Sequence, residues 1–398
     1  MHVSSPPAQE TRPHAAAIAL AGLVALAVAM GIGRFAFTPI MPMMEADAGL
    51  TLRAAGWLAA ANYLGYFLGA LYAARLTLGQ AVRGGLLLIA AVTFAMGLTH
   101  GFVLQMLLRL AAGIASAWVL VHVSAWALGK LLALGRADAS GVLYAGVGVG
   151  VAAAGLVVMG TMQARWDSDR TWQLFGVLSL LTTLVLWRAF QGDDPALPTT
   201  GTASPRIHWT ADKRRLLWCY GALGFGYIIP ATYLPDMAHR YVTHPLAFGL
   251  AWPVFGAASA LSTWIAARWL AHVDDRKLWA ICYLLMALGS ALPALWPGLA
   301  AVLVAALLVG GTYMVVTMLG LREARRAAGA EATPFIAVMT AAFAIGQIAG
   351  PLLVSGVAHL RRGFSAALLA AAVLVLAAAV SLWRSANCSG EACGRRLG

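Results

Sequence analysis

Of the 27 Lys and Arg residues in this 398-residue chain, two fall inside apolar stretches, Arg34 and Arg109. A guanidinium placed there is costly unless it is partnered, and its planar fork of N–H donors matches a carboxylate or a phosphate. All 15 Asp and Glu residues lie in polar segments or at the ends of apolar ones, the deepest being Asp138, Asp236 and Glu323. No carboxylate is therefore positioned to neutralise the two arginines. Either backbone carbonyls and water satisfy them, or an anionic ligand does. These residue types point to binding of an organic anion.

A few other polar residues interrupt the apolar stretches. Asn62 and Tyr66 are four apart and share one helical face, Gln347 is a lone amide, and Tyr227 stands where a sequence repeat aligns it with Arg34. Each can hydrogen-bond a bound solute, and each can instead join helix to helix. His122 is the one group in these stretches that titrates near neutral pH. With Asp236 it is a candidate carrier for a coupling proton; the alternatives are a neutral histidine bonded to a carbonyl, or cargo that carries its own proton. No metal or cofactor is expected. Cys219 and Cys282 lie in apolar stretches, and Cys388 and Cys393 lack metal-ligand spacing. Gly31-x-Gly33-x-x-Ala36 follows no strand, so its likeness to a dinucleotide fingerprint is accidental. The Gly-x-x-x-x-Gly-Lys-Ser/Thr and His-Glu-x-x-His patterns are absent, which excludes a phosphate-binding loop of that kind and leaves an integral membrane enzyme as a remote alternative.

The elements that must hold these residues are membrane spans. Hydrophobic residues make up 61% and charged ones 11% of the chain, against about 25% charged in soluble domains. About 20 apolar residues cross the hydrocarbon layer, which predicts spans near 15–42, 54–76, 84–103, 104–130, 138–162 and 171–190, then 216–238, 246–270, 277–295, 298–321, 333–357 and 363–383. The first run is too long for a signal peptide and reads as an uncleaved span. Arg34 and Arg109, in spans 1 and 4, then share one depth, roughly 9 Å outward of the midplane. The expected organisation is a six-helix bundle at 1–190, a polar connector at 191–215, a second bundle at 216–386 and a cytoplasmic tail at 387–398.

A repeat supports that division. Gly31-Ile32-Gly33-Arg34 through Pro42 returns 193 residues later as Gly224-Phe225-Gly226-Tyr227 through Pro235, and the same offset relates Gly56 to Gly249, Arg75 to Arg268 and Arg83 to Arg276. Parallel repeats of apolar spans are the architecture of solute carriers that alternate a central site between two sides of a bilayer. Gly31, Gly33, Gly224 and Gly226 favour close helix approach. Pro39, Pro42, Pro230 and Pro235 predict kinks towards the outer ends of spans 1 and 7, or simple termination at Pro42 and Pro235; Gly350-Pro351 predicts a bend in span 11. Alternate loops and the termini carry 19 Lys and Arg against 6 in the opposite loops, which places both termini in the cytoplasm. The net charge of +12 thus reports topology, and nucleic acid is not an expected partner.

Twelve spans in two halves resemble the major facilitator superfamily over nearly the whole chain. Gly31–Met44, Asn62–Ala70 and Gly224–Pro235 are similar to the YbfB/YjiJ-type branch. Arg109 with Gly113 resembles the superfamily's Arg-x-x-x-Gly pattern of helix 4, and Gly141 to Gly155 its glycine-rich motif of helix 5, although the Gly-Pro usual there occurs instead at Gly350-Pro351. The loop between spans 2 and 3 keeps Arg75 and Arg83 but lacks the acid of the superfamily's cytoplasmic latch, whereas Asp274, Asp275, Arg276 and Lys277 follow span 8. The resemblance implies a secondary active transporter of the bacterial inner membrane, monomeric and in contact with membrane lipid, whose cargo is a small molecule. An organic anion held near Arg34 is the leading expectation, and efflux of amphipathic drug-like compounds is the alternative.

Overall fold

The computed structural model describes residues 8–73, 75–136, 139–191, 207–239, 241–242, 249–270, 272–357, 359–360 and 363–394. Most of the expected connector, and Asp138, lie outside them. The described residues form twelve long helices and no strand, as lipid requires of a chain that must satisfy every backbone N–H and C=O internally. Helix α1 runs through three stretches, Ala8–Leu26, a π-helical turn Ala27–Ile32 and Phe37–Asp47. It is followed by α2 (Leu52–Ala73), α3 (Gly85–Met96, entered through a π-helical turn Gln80–Gly84), α4 (Phe102–Ala133), α5 (Ser140–Gln163) and α6 (Ser168–Leu186). The second set is α7 (Ala211–His239), α8 (Ala251–Trp269), α9 (Asp275–Leu295), α10 (Leu299–Ala328), α11 (Ala332–Val357) and α12 (Gly363–Gly394). The last helix runs on through part of the stretch expected as a tail.

Seven of the helices are long and apolar enough to cross a membrane by length and composition: α1, α4, α5, α9, α10, α11 and α12. The rest are shorter, as Gln80–Met96 is, or diluted by polar and aromatic residues, as α2 is by Asn62, Tyr63 and Tyr66. The protein is a multi-pass membrane protein.

Within the first six helices, α2 packs on α4 and α1 on α5; within the last six, α7 packs on α11 and α9 on α12. Helices α5 with α8, α2 with α11 and the second part of α1 with α7 join the two sets. Close approach rests on missing side chains. A Cβ at Gly113 would lie 2.0 Å from the Asn62 carbonyl oxygen, and one at Gly31 would lie 2.4 Å from the Gly150 carbonyl carbon. Both contacts need glycine, because no larger residue fits without separating α4, which carries Arg109, from α2, which carries Asn62, or α1, which carries Arg34, from α5. Gly33, Gly224, Gly226 and Gly350 are crowded in the same manner, against Ser116, Phe343, Val375 and Ile228.

Of the two expectations for the prolines, a kink or simple termination at Pro42 and Pro235, termination is not what the helices do. Helix α1 widens before its prolines, with Gly33 N–H donating to the Val28 carbonyl and Phe35 N–H to the Met30 carbonyl, each five residues back. It turns at 33–36 and restarts at Phe37. Pro39 thereby falls in the first turn of the restarted stretch, where its missing N–H is not needed. The helix then continues past Pro42 to Asp47, and α7 continues through Pro230 and Pro235 to His239. Pro351 likewise lies inside α11. Neither Pro42 nor Pro235 ends its helix.

Candidate functional site

The break in α1 exposes backbone carbonyls at the depth where both arginines lie. Arg109 uses them. Its Nη2 donates to the Arg34 carbonyl at 2.9 Å and its Nη1 to the Gly33 carbonyl at 3.5 Å, while the guanidinium lies 5.1 Å from the centroid of the Phe37 ring. Asn62 completes the brace, its Nδ2 donating to the Arg109 carbonyl at 2.9 Å and the Gly33 carbonyl at 3.3 Å. Ser116 adds a hydroxyl bond to the Ala29 carbonyl at 2.7 Å. Helices α1, α2 and α4 are thus tied together by side chains that satisfy carbonyls left open by the irregular turn.

Arg34 is differently placed. It is 3% exposed, and its guanidinium carbon stands 4.1 Å from the Tyr66 ring centroid and 5.1 Å from those of Phe35 and Tyr63. Aromatic faces stabilise the charge. Nε and Nη2 are buried with no hydrogen-bond partner among the described residues. These two nitrogens carry parallel N–H bonds on one edge of the group, the edge that takes a carboxylate with two bonds.

Arg34 borders a cavity of about 690 Å³ between the two sets of helices, within the roughly 300–1,000 Å³ typical of small-molecule sites. Tyr66, Tyr144, Tyr220, Tyr227, Tyr313 and Phe343 face it, and Arg325 and Gly329 stand where it meets the exposed end of α10. The Tyr227 ring is nearly parallel to those of Tyr313 and Phe343, with interplanar angles of 7° and centroid separations of 5.0 and 5.9 Å. Gln347 donates its side-chain amide to the Tyr227 hydroxyl, which fixes that ring from behind.

On the far side of Arg34 the two sets of helices are closed on each other. Tyr63 and Thr232 share a hydrogen bond at 3.2 Å between α2 and α7, and the Ser355 hydroxyl donates to the Arg53 carbonyl at 3.1 Å between α11 and α2. A Cβ at Gly56 would lie 2.8 Å from the Pro351 carbonyl oxygen, so α2 and α11 meet there almost backbone to backbone.

Of the residues singled out from sequence, Arg34, Tyr66 and Tyr227 face the cavity, whereas Arg109, Asn62 and Gln347 stand behind it. His122 does not face it. Its Nδ1 lies 3.0 Å from the Trp118 carbonyl and its Nε2 3.1 Å from the Leu76 carbonyl, so only a doubly protonated ring donates to both. Asp236 is buried in α7 near Tyr233 and away from the cavity. Sequence reasoning missed Tyr63, Tyr313, Phe343 and Arg325. Tyr63 and Tyr66 were legible as an i, i+3 pair; Tyr313 and Phe343 resemble ordinary packing residues, and Arg325 counted only as loop charge.

The family model described as uncharacterised MFS-type transporter YbfB matches residues 26–382. No curated protein matches the chain significantly. A mutant of the nucleoside transporter NupG has a similar fold, with a TM-score of 0.71 at 13% identity over 92% of this chain and 99% of that one. So does a bacterial homologue of the human lysosomal transporter Spinster, in an inward-facing and occupied conformation, with a TM-score of 0.67 at 15% identity over 94% and 97% of the two chains. At such identities these two likenesses concern the fold alone. The match across residues 26–382, the all-helical architecture and the central cavity agree: the chain belongs to the YbfB-type family of major facilitator superfamily transporters.

Proposed function

We propose that the protein is a secondary active transporter that carries a small organic anion across a bacterial inner membrane by alternating access, holding the anion at Arg34. One observation carries the choice of an anion: a buried guanidinium whose Nε and Nη2 have no hydrogen-bond partner among the described residues. Leaving such donors unpaired costs about 1–3 kcal/mol each, and more at a charged group; a bound carboxylate removes that cost. In the present conformation both nitrogens are enclosed, so a carboxylate reaches them as the surrounding rings move, Tyr66 being the nearest.

Alternating access is supported by the asymmetry around Arg34, with a cavity on one side and the Tyr63–Thr232 and Ser355–Arg53 contacts on the other. The mouth lies by the α10–α11 loop, on the side of the loops richest in Lys and Arg. That side is cytoplasmic by the charge rule, which makes this an inward-facing form with both termini in the cytoplasm. Two six-helix bundles enclose one cavity within one chain, so a monomer suffices. The driving force is an ion gradient or exchange of one anion for another; a coupling proton travels either with the cargo or through His122.

The test is counterflow in proteoliposomes loaded with unlabelled carboxylates, with labelled carboxylate outside. Saturable uptake that requires internal anion supports the reading. Uptake of lipophilic cations instead, unaffected by Arg34→Ala, would replace it with amphipathic efflux.

A further inference from the structure

The walls of the cavity say more about the cargo than that it is charged. Among the described residues that line it there is no Asp, Glu, Asn or Gln. Its cations are Arg34 at the closed end and Arg325 at the mouth, and its other polar groups are the hydroxyls of Ser124, Thr317, Thr340 and the tyrosines. A sugar or a nucleoside presents many hydrogen-bonding groups, and a site without amides or carboxylates leaves most of them unmatched. A lipophilic cation meets two arginines and no carboxylate. An aliphatic dianion of low molecular weight has one fork to grip at Arg34 and then an apolar, ring-lined space for its second charge.

The rings themselves are ordered. Phe343, Tyr227 and Tyr313 lie nearly parallel, Phe255 continues the series 5.3 Å from Tyr313 at 24°, and Trp252 follows 5.1 Å from Phe255 at 10°. Trp252 meets Phe35 edge-on at 6.1 Å, and Phe35 lies under the Arg34 guanidinium. A file of rings therefore leads from the cavity wall to the cation. Rings held in this manner offer a flat guest further offset or edge-to-face contacts at little entropic cost, since their own rotamers are already fixed by packing.

Resting on the anion reading above, we infer that the cargo is an aromatic monocarboxylate: a planar ring lodged beside Tyr66, Tyr227 and Phe343, with its carboxylate on the Nε and Nη2 edge of Arg34. Arg325 is the first charge it meets at the mouth, where it raises the local concentration of anions without forming part of the inner site.

The experiment is ligand-dependent thermal stability of the full-length protein in detergent. The probes are benzoate, 4-hydroxybenzoate and cinnamate, compared with cyclohexanecarboxylate, succinate and benzamide. Aromatic acids should bind about three- to tenfold more tightly than cyclohexanecarboxylate, the range that ring-on-ring contact adds beyond buried area. That preference should vanish in Tyr227→Leu and in Phe343→Leu, which keep Arg34, whereas Arg34→Gln should lose the response to every acid. Equal binding of benzoate and cyclohexanecarboxylate, both dependent on Arg34, overturns the aromatic class and leaves the anion reading standing. Stabilisation by succinate in preference to the aromatic acids does the same. Benzamide binding as well as benzoate, with Arg34→Gln unchanged, overturns both.

Discussion

Positions that the sequence repeat makes equivalent do opposite things in the first six and the last six helices. Arg276, after α8, is fully used: it donates to both Asp212 carboxylate oxygens at 2.8 and 2.7 Å and to Glu323 at 2.6 Å. Its counterpart Arg83 meets no carboxylate among the described residues. Its guanidinium lies 4.9 Å from the Trp187 ring centroid, and its Nε is buried without a hydrogen-bond partner among the described residues. At the centre the contrast runs the other way in residue type, Arg34 in the first set facing Tyr227 in the second. Arg34 and Arg83 in the first six helices rest on aromatic faces, whereas the last six pair Asp212, Asp275 and Glu323 with Arg276 and Arg326. On the proposed reading, the inner grip on charge belongs to Arg34 of the first set. The second contributes rings, and ion pairs that hold its own helices.

The largest effect that would break this contrast is at its centre. Arg34→Gln should weaken carboxylate binding by about tenfold to a hundredfold, the worth of hydrogen bonds to a charged group, and abolish counterflow. Tyr227→Phe removes a hydroxyl that already accepts from Gln347 and should change affinity by no more than a few fold. Comparable losses in the two variants, measured by titration of the thermal response, would mean that the two halves grip the cargo equally.

Arg109 separates bracing from binding. Arg109→Ala removes the side-chain donor to the Arg34 carbonyl in the break of α1 and leaves the Gly33 carbonyl with the Asn62 amide alone, at a cost of about 1–3 kcal/mol. The melting temperature should drop while the remaining folded protein still responds to carboxylates. A fully stable Arg109→Ala protein that has lost its anion response would move Arg109 from the brace to the site.

How much of this was legible before the structure differs by level. The positions of the twelve helices followed from runs of mainly apolar residues, since that pattern is local, although seven of the helices are long and apolar enough to cross a membrane by length and composition. The pair Arg34 and Arg109 stood out because few charges enter those runs. Which of the two is satisfied was not legible, because it depends on where α1 changes from π to α geometry and which carbonyls that change turns towards α4. The same holds for Tyr313 and Phe343. An aromatic residue on a helix reads as packing until the neighbouring helix shows that its ring faces a space. The acid-poor loop between α2 and α3 was legible as a departure, and the structure supplies its consequence at Arg83.

The peripheral contrast yields a smaller effect. Glu323 is buried and receives bonds from Arg276 and Arg326. Glu323→Gln leaves Arg276 with one acidic partner in place of two and should cost about 3 kcal/mol, the low end for breaking a buried pair. Arg83→Ala forfeits a contact with one ring, worth about 0.5–1 kcal/mol near a surface. Chemical denaturation of the two variants in detergent should rank them in that order; the reverse ranking would place a load-carrying cation in the first set.

The smallest expected effect lies in the loop beyond α10. Glu331 accepts from the Lys213 ammonium at 2.5 Å and from the His208 N–H at 3.0 Å, and these donors hold its carboxyl below the ordinary value of 4.5. A carboxyl held low contributes stability that is fully present above its unfolded value and is lost as pH falls through the folded one. Wild type should therefore melt slightly above Glu331→Gln at neutral pH, and the gap should close below about pH 4.5 as Glu331 takes up its proton. This tie joins the start of α7 to the loop after α10, beside Gly329 at the cavity mouth. A gap that persists unchanged into acid would show that the carboxylate charge does not hold this loop, and the closure of charges in the last six helices would then end at Asp275 and Glu323.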